Sequence, residues 1–368
     1  MAESTLDARQ DARPTAGHVT LERVNTPPAQ TWNYLRANDI TLTVPVHSRK
    51  GDVFFALPRL FEGVECGMGP TVTAWAESQA KDAHYVEVKA GEKRKEPIAA
   101  QEDTGVMVRA GAEATIVICT QPDGPVQDTT AALVRVIAER GARVHLLEFV
   151  CGGSDQRLDS VGIVADEDAR IDVRQFFLGA GTTAAGLAVA LDGNRARLDL
   201  TCRYLGREQD ILDINHVVRQ RGRNTRCDVR ESGVLDGHAK KSLRATIDLV
   251  HGSSGSEGAE LENVLILSDD VTNKTMPVIL CDEDDVAGNH GASIGSVGPE
   301  QIQYLRDRGL SMQEAEGLYV RALFDEALIC APTPQTRAAV LARATDVLGS
   351  EVANDLVDGL GLRDAEEV

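Results

Sequence analysis

The 368-residue chain is poor in aromatics, with seven Phe, five Tyr and two Trp making up 4% of it. A core with few large rings has to be filled by aliphatic side chains and closely approaching backbone, and 33 glycines suit a chain with many tight corners. Positive charge is also short. With 38 Lys and Arg against 57 Asp and Glu the net charge is −19; such a field repels phosphate backbones and excludes nucleic acid as an expected partner. The dense basic run KAGEKRKE (Lys89 to Glu96) carries its own acids and reads as a solvated turn. No apolar run reaches the ~18 residues that cross a bilayer, so no membrane span is expected. The N-terminus, MAESTLDARQDARPTAG, lacks a signal-peptide core, and residues 1–17 are expected to be a disordered leader. Seven cysteines form no close pair, the tightest spacing being Cys202 to Cys227. That excludes a CxxC metal knuckle and a disulfide framework, and places the chain in a reducing, cytoplasmic compartment. Nucleophile elbow, Walker loop, GxGxxG and HExxH are all missing, so no enzyme is expected.

What is present is a repeat. AEATIVIC, GARVHLLEF, DARIDVRQF, RARLDLTCR and NTRCDVRES align on Ala114, Ala142, Ala169, Ala196 and Thr225, at spacings of 28, 27, 27 and 29. Each unit alternates with period two, as in Arg170-Ile171-Asp172-Val173-Arg174, the pattern of a strand with one buried and one solvated face. A second apolar stretch lies in each period: SVGIVA from Ser160, GLAVAL from Gly186, INHVV from Ile214. Short strands at a ~27-residue period, with gaps too short for crossover helices, predict a mainly β fold: a right-handed parallel β-helix stacked coil on coil. The expected organisation is a mixed, partly helical region over 18–105, the solenoid over 106–297, and a helical region over 298–368. One helical insert is read at Val126 to Gly141, and a short N-terminal helix at Thr26 to Ile40.

The repeat assigns several chemistry-bearing residues to structure. Cys227 shares the column of Ile171 and Leu198, Cys202 the inward phase of Leu198 and Leu200, and His216 the phase of Leu212, Ile214 and Val218. All three read as core. The ladders Arg170/Arg197/Arg226 and Asp172/Asp199/Asp228 read as compensating columns on a solvated face. After the solenoid, Pro299 opens a helix that Gly309 closes, and Ser311 with Glu314 forms a capping box for the next helix. Further helices are read from Thr333 to about Leu348 and from Ser350. Between solenoid and tail, CDEDDVAGNHGASIG places Cys281, four acids and His290 in a Gly-rich turn, without the spacing of a Ca²⁺ loop. Alone, one such histidine specifies nothing.

The stretch DDVAGNHGASIGSVGPEQIQYLRDRGLSMQEAEGLYVRALFDEAL closely resembles the C-terminal signature of the SufB/SufD iron–sulfur assembly scaffold family. Asp284-Asp285-Val286, His290-Gly291-Ala292-Ser293, Gly295, Gln301, Tyr304-Leu305-Arg306, Arg308-Gly309 and Glu314-Ala315 fill the places of that signature. TWNYLR and LENVLILSDDVTNKTMPVIL resemble its N-terminal aromatic motif and its last coils. The resemblance implies a β-helix with helical ends and no enzymatic activity. It implies a SufC-type ATPase docked on the C-terminal helices, with Tyr304, Leu305, Arg306, Arg308, Gly309, Leu318, Leu323 and Phe324 as its surface. It implies pairing through the β-helix with a SufB-type paralogue, or with a second copy of this chain, and a transient Fe–S cluster near that junction. No cofactor is expected to be held stably by this chain alone. Gly291 after His290 sides with the SufD branch, and His290 then matches the histidine implicated in cluster assembly. The family's Cys two residues before that histidine is Gly288 here, and Cys281 is a weak substitute. Two other readings stand beside this one: a homodimeric scaffold doing the whole SufB task, and a β-helix polysaccharide lyase or hydrolase using Asp172, Asp199 and Asp228.

Overall fold

The computed structural model describes residues 17–28, 40–46, 55–120, 122, 127–179, 181–296 and 299–359, without the side chains at 299, 301, 302, 312 and 313. Two eight-stranded parallel sheets face each other. The front sheet runs β4 (Ile98–Ala99), β6 (Glu113–Cys119), β8 (Arg143–Val150), β10 (Arg170–Phe177), β12 (Arg197–Gly206), β14 (Arg226–Leu235), β16 (Ser256–Ile266) and β18 (Val286–Gly295). The back sheet runs β3 (Ala83–Val88), β5 (Glu102–Val108), β7 (Gln127–Ala138), β9 (Ser154–Ala165), β11 (Thr182–Leu191), β13 (Ile211–Gln220), β15 (Lys240–Leu249) and β17 (Thr272–Cys281). Successive strands alternate between the sheets, which is the coil of a parallel β-solenoid. The interior lane from Val88 to Leu249 is aliphatic, because in-register stacking places Ile171 on Val144 and Leu198 on Ile171, column after column.

Three expectations change. The segment read as a helical insert is β7: Ala132, Val134, Val136 and Ala138 point into the solenoid, while Leu133 and Ile137 are covered from outside. A strand buried on both faces loses its polar phase, and its apolar residues then mimic a helical stripe. The first repeat is anchored at Ala112, since Ala114 stacks on Val144 and not on Ala142. The strands of the solenoid begin at Ala83, upstream of the expected boundary at 106. The N-terminal leader and the helix expected over Thr26 to Ile40 lie largely outside the described residues.

Both outer faces are partly clad. On the back sheet lie an antiparallel hairpin of β1 (Gly17–Val24) and β2 (Ile40–Val46) and helix α1 (Pro70–Gln79), which the sequence reading missed although Pro70 at the first helical position marks it. The chain enters α1 by crossing the back sheet at Gly67, whose N–H donates to the Val161 carbonyl (3.1 Å) and whose carbonyl accepts from Asn215 (2.8 Å). Gly186 lies directly beneath: a Cβ there would sit 2.4 Å from the carbonyl carbon of Gly67. On the front sheet pack helices α3 (Met312–Cys330), α4 (Pro334–Leu348) and α5 (Ser350–Gly359), preceded by α2 (Pro299–Arg306). Gly309 (φ 94°) follows α2 and the Ser311–Glu314 capping box opens α3, as the sequence indicates.

Gly186→Ala is expected to destabilise the fold by the ~1–3 kcal/mol of an overpacked contact and so lower Tm, whereas Gly63→Ala, with open space at its Cβ position, is expected to be near-neutral. Thermal unfolding of the two variants checks the crossing.

Candidate functional site at the open end of the solenoid

At the C-terminal end the stack stops without a described cover. Among the described residues β17 and β18 are the last strands of their sheets, and each pairs on one side only. The consequence is visible in β17: Pro277 and Ile279 are only half-buried, while Ala245 and Ile247, their neighbours one coil earlier, are fully enclosed. Two apolar residues of the front sheet stand out at this end, Ile294 at 51% exposure and Leu261 at 47%. Neither was singled out from sequence; the signal was a period-two phase in GNHGASIG that ends on isoleucine among small residues.

His290 is in this last coil. It is not in a turn: it is the fifth residue of β18, stacked in register on Glu260 and, below that, Val229. Since Val229 belongs to the aliphatic interior, His290 continues an inward column at the point where the interior becomes solvent-exposed. The glycines around it are packing devices. A Cβ at Gly288 would lie 3.1 Å from Ile279 Cγ2, and one at Gly291 would lie 3.3 Å from Leu261 Cδ1.

Cys281 is the exposed member of the seven free thiols and stacks on Leu249 at the other side of the corner. Between it and β18 come Asp282 to Asp285, and His290 lies four residues into the strand, roughly 13 Å along it. Its Sγ donates to the Glu283 carbonyl (3.3 Å). The corner acids are likewise engaged locally. The Glu283 carboxylate accepts from the N–H groups of Gly252 (2.8 Å) and Asp284 (3.1 Å), which hold it below the usual carboxylate range, and Asp285 accepts from Ser254 (2.8 Å). Among the described residues no group of three or more His, Cys, Asp or Glu is placed to hold a metal ion. His290 is therefore an exposed imidazole in the last described coil, and the described residues do not complete a ligand set around it.

The remaining candidates separate cleanly. Cys202 and Cys227 are buried in the core, and burial pushes the Cys227 thiol up to about 12. His216 is buried with both ring nitrogens hydrogen-bonded. Asp172, Asp199 and Asp228 form one column beside Arg170, Arg197 and Arg226. Arg174 pairs with Asp172 and Arg230 with Asp228, and burial and then the two flanking aspartates push Asp199 up. That is a structural ladder, without the converging acid and base of a glycosidic or lyase site. On the tail, Leu323 and Phe324 are packed against Phe149, Phe176 and Leu205 of the front sheet, so they anchor α3 to the solenoid and are not available as a docking surface. Leu305 is half-buried, and Arg306, Arg308 and Gly309 are exposed. Tyr304 (56% exposed), stacked under the Arg308 guanidinium at 4.4 Å, and Leu318 (45%) remain outward, with Tyr319 beside them.

A family model described as SUF system FeS cluster assembly, SufBD core domain, matches residues 90–323. The chain is 27% identical over 159 residues to the iron–sulfur cluster assembly protein SufD of Bacillus subtilis, covering 43% of this chain and 36% of that protein. It is 25% identical over 131 residues to an iron–sulfur cluster assembly SufBD family protein of Methanocaldococcus jannaschii, covering 36% and 40%. With another of Mycobacterium leprae it shares 25% over 234 residues, 57% and 59% of the two chains. The match thus spans less than two thirds of each relative.

Alkylation of the native chain at mildly alkaline pH is expected to modify Cys281 first, with Cys66, Cys151, Cys202 and Cys227 reacting only after unfolding. Peptide mapping after a timed iodoacetamide pulse measures this; early label on Cys202 or Cys227 would contradict the burial described.

Proposed function

Because the chain belongs to the SufBD core-domain family of the SUF iron–sulfur cluster assembly system, we propose that it is a SufD-type scaffold subunit that acts without enzymatic activity of its own. Its open end joins a second solenoid, that of a SufB-type paralogue. The observation that carries this reading is the uncovered last coil. β17 and β18 present unpaired edges, half-buried aliphatic residues and an exposed histidine on one surface. Edge strands left in that state are templates for pairing with another chain. A second solenoid set against them extends both sheets and encloses Ile279, Ile294 and Leu261.

His290 lies inside that junction. An iron–sulfur cluster takes about four ligands, mostly thiolates, so one imidazole serves as a nitrogen ligand only beside thiolates from the partner. Cargo iron and sulfide are then held between two chains and released when the junction moves, and no cluster stays on this chain alone. The tail supplies the means of movement. Tyr304 with Arg308 at the end of α2, and Leu318 with Tyr319 in α3, are exposed, an aromatic and cationic composition that suits protein docking. A SufC-type ATPase bound there transmits its closure through α3, whose second half is fixed to the front sheet by Phe324 and by the Arg203–Glu326 ion pair (2.7 Å). The setting is the cytoplasm.

In a co-purification with SufB- and SufC-type partners, ending the chain at residue 298 is expected to lose the ATPase. Tyr304→Ala with Tyr319→Ala is expected to weaken it by ~2 kcal/mol or more. His290→Ala is expected to leave the complex assembled and to lower reconstituted cluster on the order of 10-fold. Retention of the ATPase by the truncated chain would contradict the docking site. Undiminished cluster in the histidine variant would remove His290 from the junction chemistry, and stable pairing of this chain with itself in place of the paralogue would favour the homodimeric scaffold.

A further inference from the structure

One part of the interior is not aliphatic. Beside the lane from Val88 to Leu249 runs a second column of the front sheet, stacked in register as Glu148, Gln175, Cys202, Glu231 and Glu262, all fully buried. From the back sheet His216 reaches across to it. Its Nδ1 meets Glu231 Oε1 at 2.8 Å and its Nε2 meets Gln175 Oε1 at 2.8 Å; Gln175 Nε2 donates to Glu148 Oε2 at 2.7 Å. Buried carboxylates in such numbers need protons or counter-charges.

The hydrogen bonds assign the protons. Gln175 uses its NH₂ toward Glu148, so it offers His216 only an acceptor, and Nε2 must carry a hydrogen. A desolvated imidazole holds a single proton, which leaves Nδ1 as a lone pair, and Glu231 Oε1 must then be the donor. Glu231 is therefore a carboxylic acid. Its second oxygen has no ordinary donor and faces Glu260, whose own two oxygens lack any donor, so the hydrogen between these two carboxyl groups is Glu260's own, donated to Glu231. At the other end Glu148 Oε1, also without a donor, faces Asp159, and Arg157 sits 2.6 Å from that carboxylate. All donors point one way: Glu231 to His216, His216 to Gln175, Gln175 to Glu148, and Glu148 to the Asp159–Arg157 pair.

We propose that this chain is a proton-dependent latch built into the solenoid: the hydrogen on Glu231 closes it, and loss of that hydrogen loosens the coils leading to the open end. A Glu231 carboxylate would face the Nδ1 lone pair, and one strand spacing away in its own column stands Glu262, which Lys241 and Tyr204 hold. The groups around Glu231 are His216, Cys202, Tyr204, Lys241, Glu260 and Glu262 from β12 to β16, with Glu148, Asp159 and Arg157 at the far end of the chain. Relief requires water to enter or His216 to exchange tautomers and release Gln175. Burial first, and then Glu262, pushes Glu231 up to about 8, while burial pushes His216 down to about 4. A carboxyl group raised on folding contributes stability in full below its unfolded value of 4.5, and that contribution is lost as pH rises through about 8.

The inference goes beyond the scaffold reading and is tested on this chain alone, so a failed partner assay leaves it standing. Glu231→Gln keeps a donor against Nδ1 and removes the hydrogen that Glu231 titrates, while Glu260 keeps its own. Wild-type Tm is expected to fall between about pH 5 and about 8, with hydrogen exchange in β14, β16 and β18, corrected for intrinsic rate, accelerating toward the upper limit. The variant is expected to show a flatter Tm profile, slower exchange at the alkaline limit, and a Tm there at or above wild type. Equal slopes in both proteins would overturn the latch. Should the variant fail to fold, ¹⁵N shifts of His216 in wild type decide: a neutral Nε2–H tautomer at neutral pH supports it, and an imidazolium refutes it.

Discussion

Parallel, in-register hydrogen bonding is the constraint on which everything else depends. Each coil repeats the last about 4.8 Å further on, so a residue's neighbours in space are the residues at the same position in the coils above and below. Aliphatic positions become an unbroken lane from Val88 to Leu249. Arginines stack on arginines and aspartates on aspartates, and such columns persist only because the neighbouring column carries the opposite sign. The same rule forces Glu148, Gln175, Glu231 and Glu262 into one buried line, where water cannot solvate them and protons and Lys241 must. A stack of this kind has no intrinsic end. Wherever it stops, two edges and a slice of interior are left uncovered, and here the stop falls at His290.

The additions to the solenoid are uneven, and the unevenness is informative. The β1–β2 hairpin and α1 clad the back sheet, pinned where Gly67 crosses Gly186 and where Asn25 donates to Asp213 (2.8 Å), itself held by Arg244. Helices α3 to α5 clad the front sheet over Phe149 and Phe176, whose rings stack at 5.2 Å. Neither group covers β17 and β18. The tail starts immediately after β18, so any load on α2 and the first half of α3 is applied next to the uncovered coil.

Much of this was legible in the sequence, and the failures have physical causes. The period was readable because the front-sheet strands keep one solvated phase, as in Arg197-Leu198-Asp199-Leu200. β7 was not, because Leu133 and Ile137 are covered from outside as well, and alternation vanishes when both faces are buried. The caps of the tail were local chemistry and could be read residue by residue; which side of α3 faces the solenoid could not, and Leu323 and Phe324, which the family resemblance put on a docking surface, are buried against the front sheet. His290 read as a turn residue because glycines flank it, but those glycines make room for Ile279 and Leu261 beneath a regular strand. Of the latch, only Cys202 and His216 were legible as inward-facing residues. Glutamates at alternate positions look like a solvated face until Gln175 and His216 are seen to stack against them.

The central claim is that the uncovered coil is the joining surface. Hydrogen exchange of this chain, free and mixed with a SufB-type paralogue, tests it most directly. Protection arising in Thr272–Cys281 and Val286–Gly295, with β3 and β4 unchanged, is the result this account requires. Protection appearing instead at Ala83–Val88, or on the outer faces alone, would contradict it.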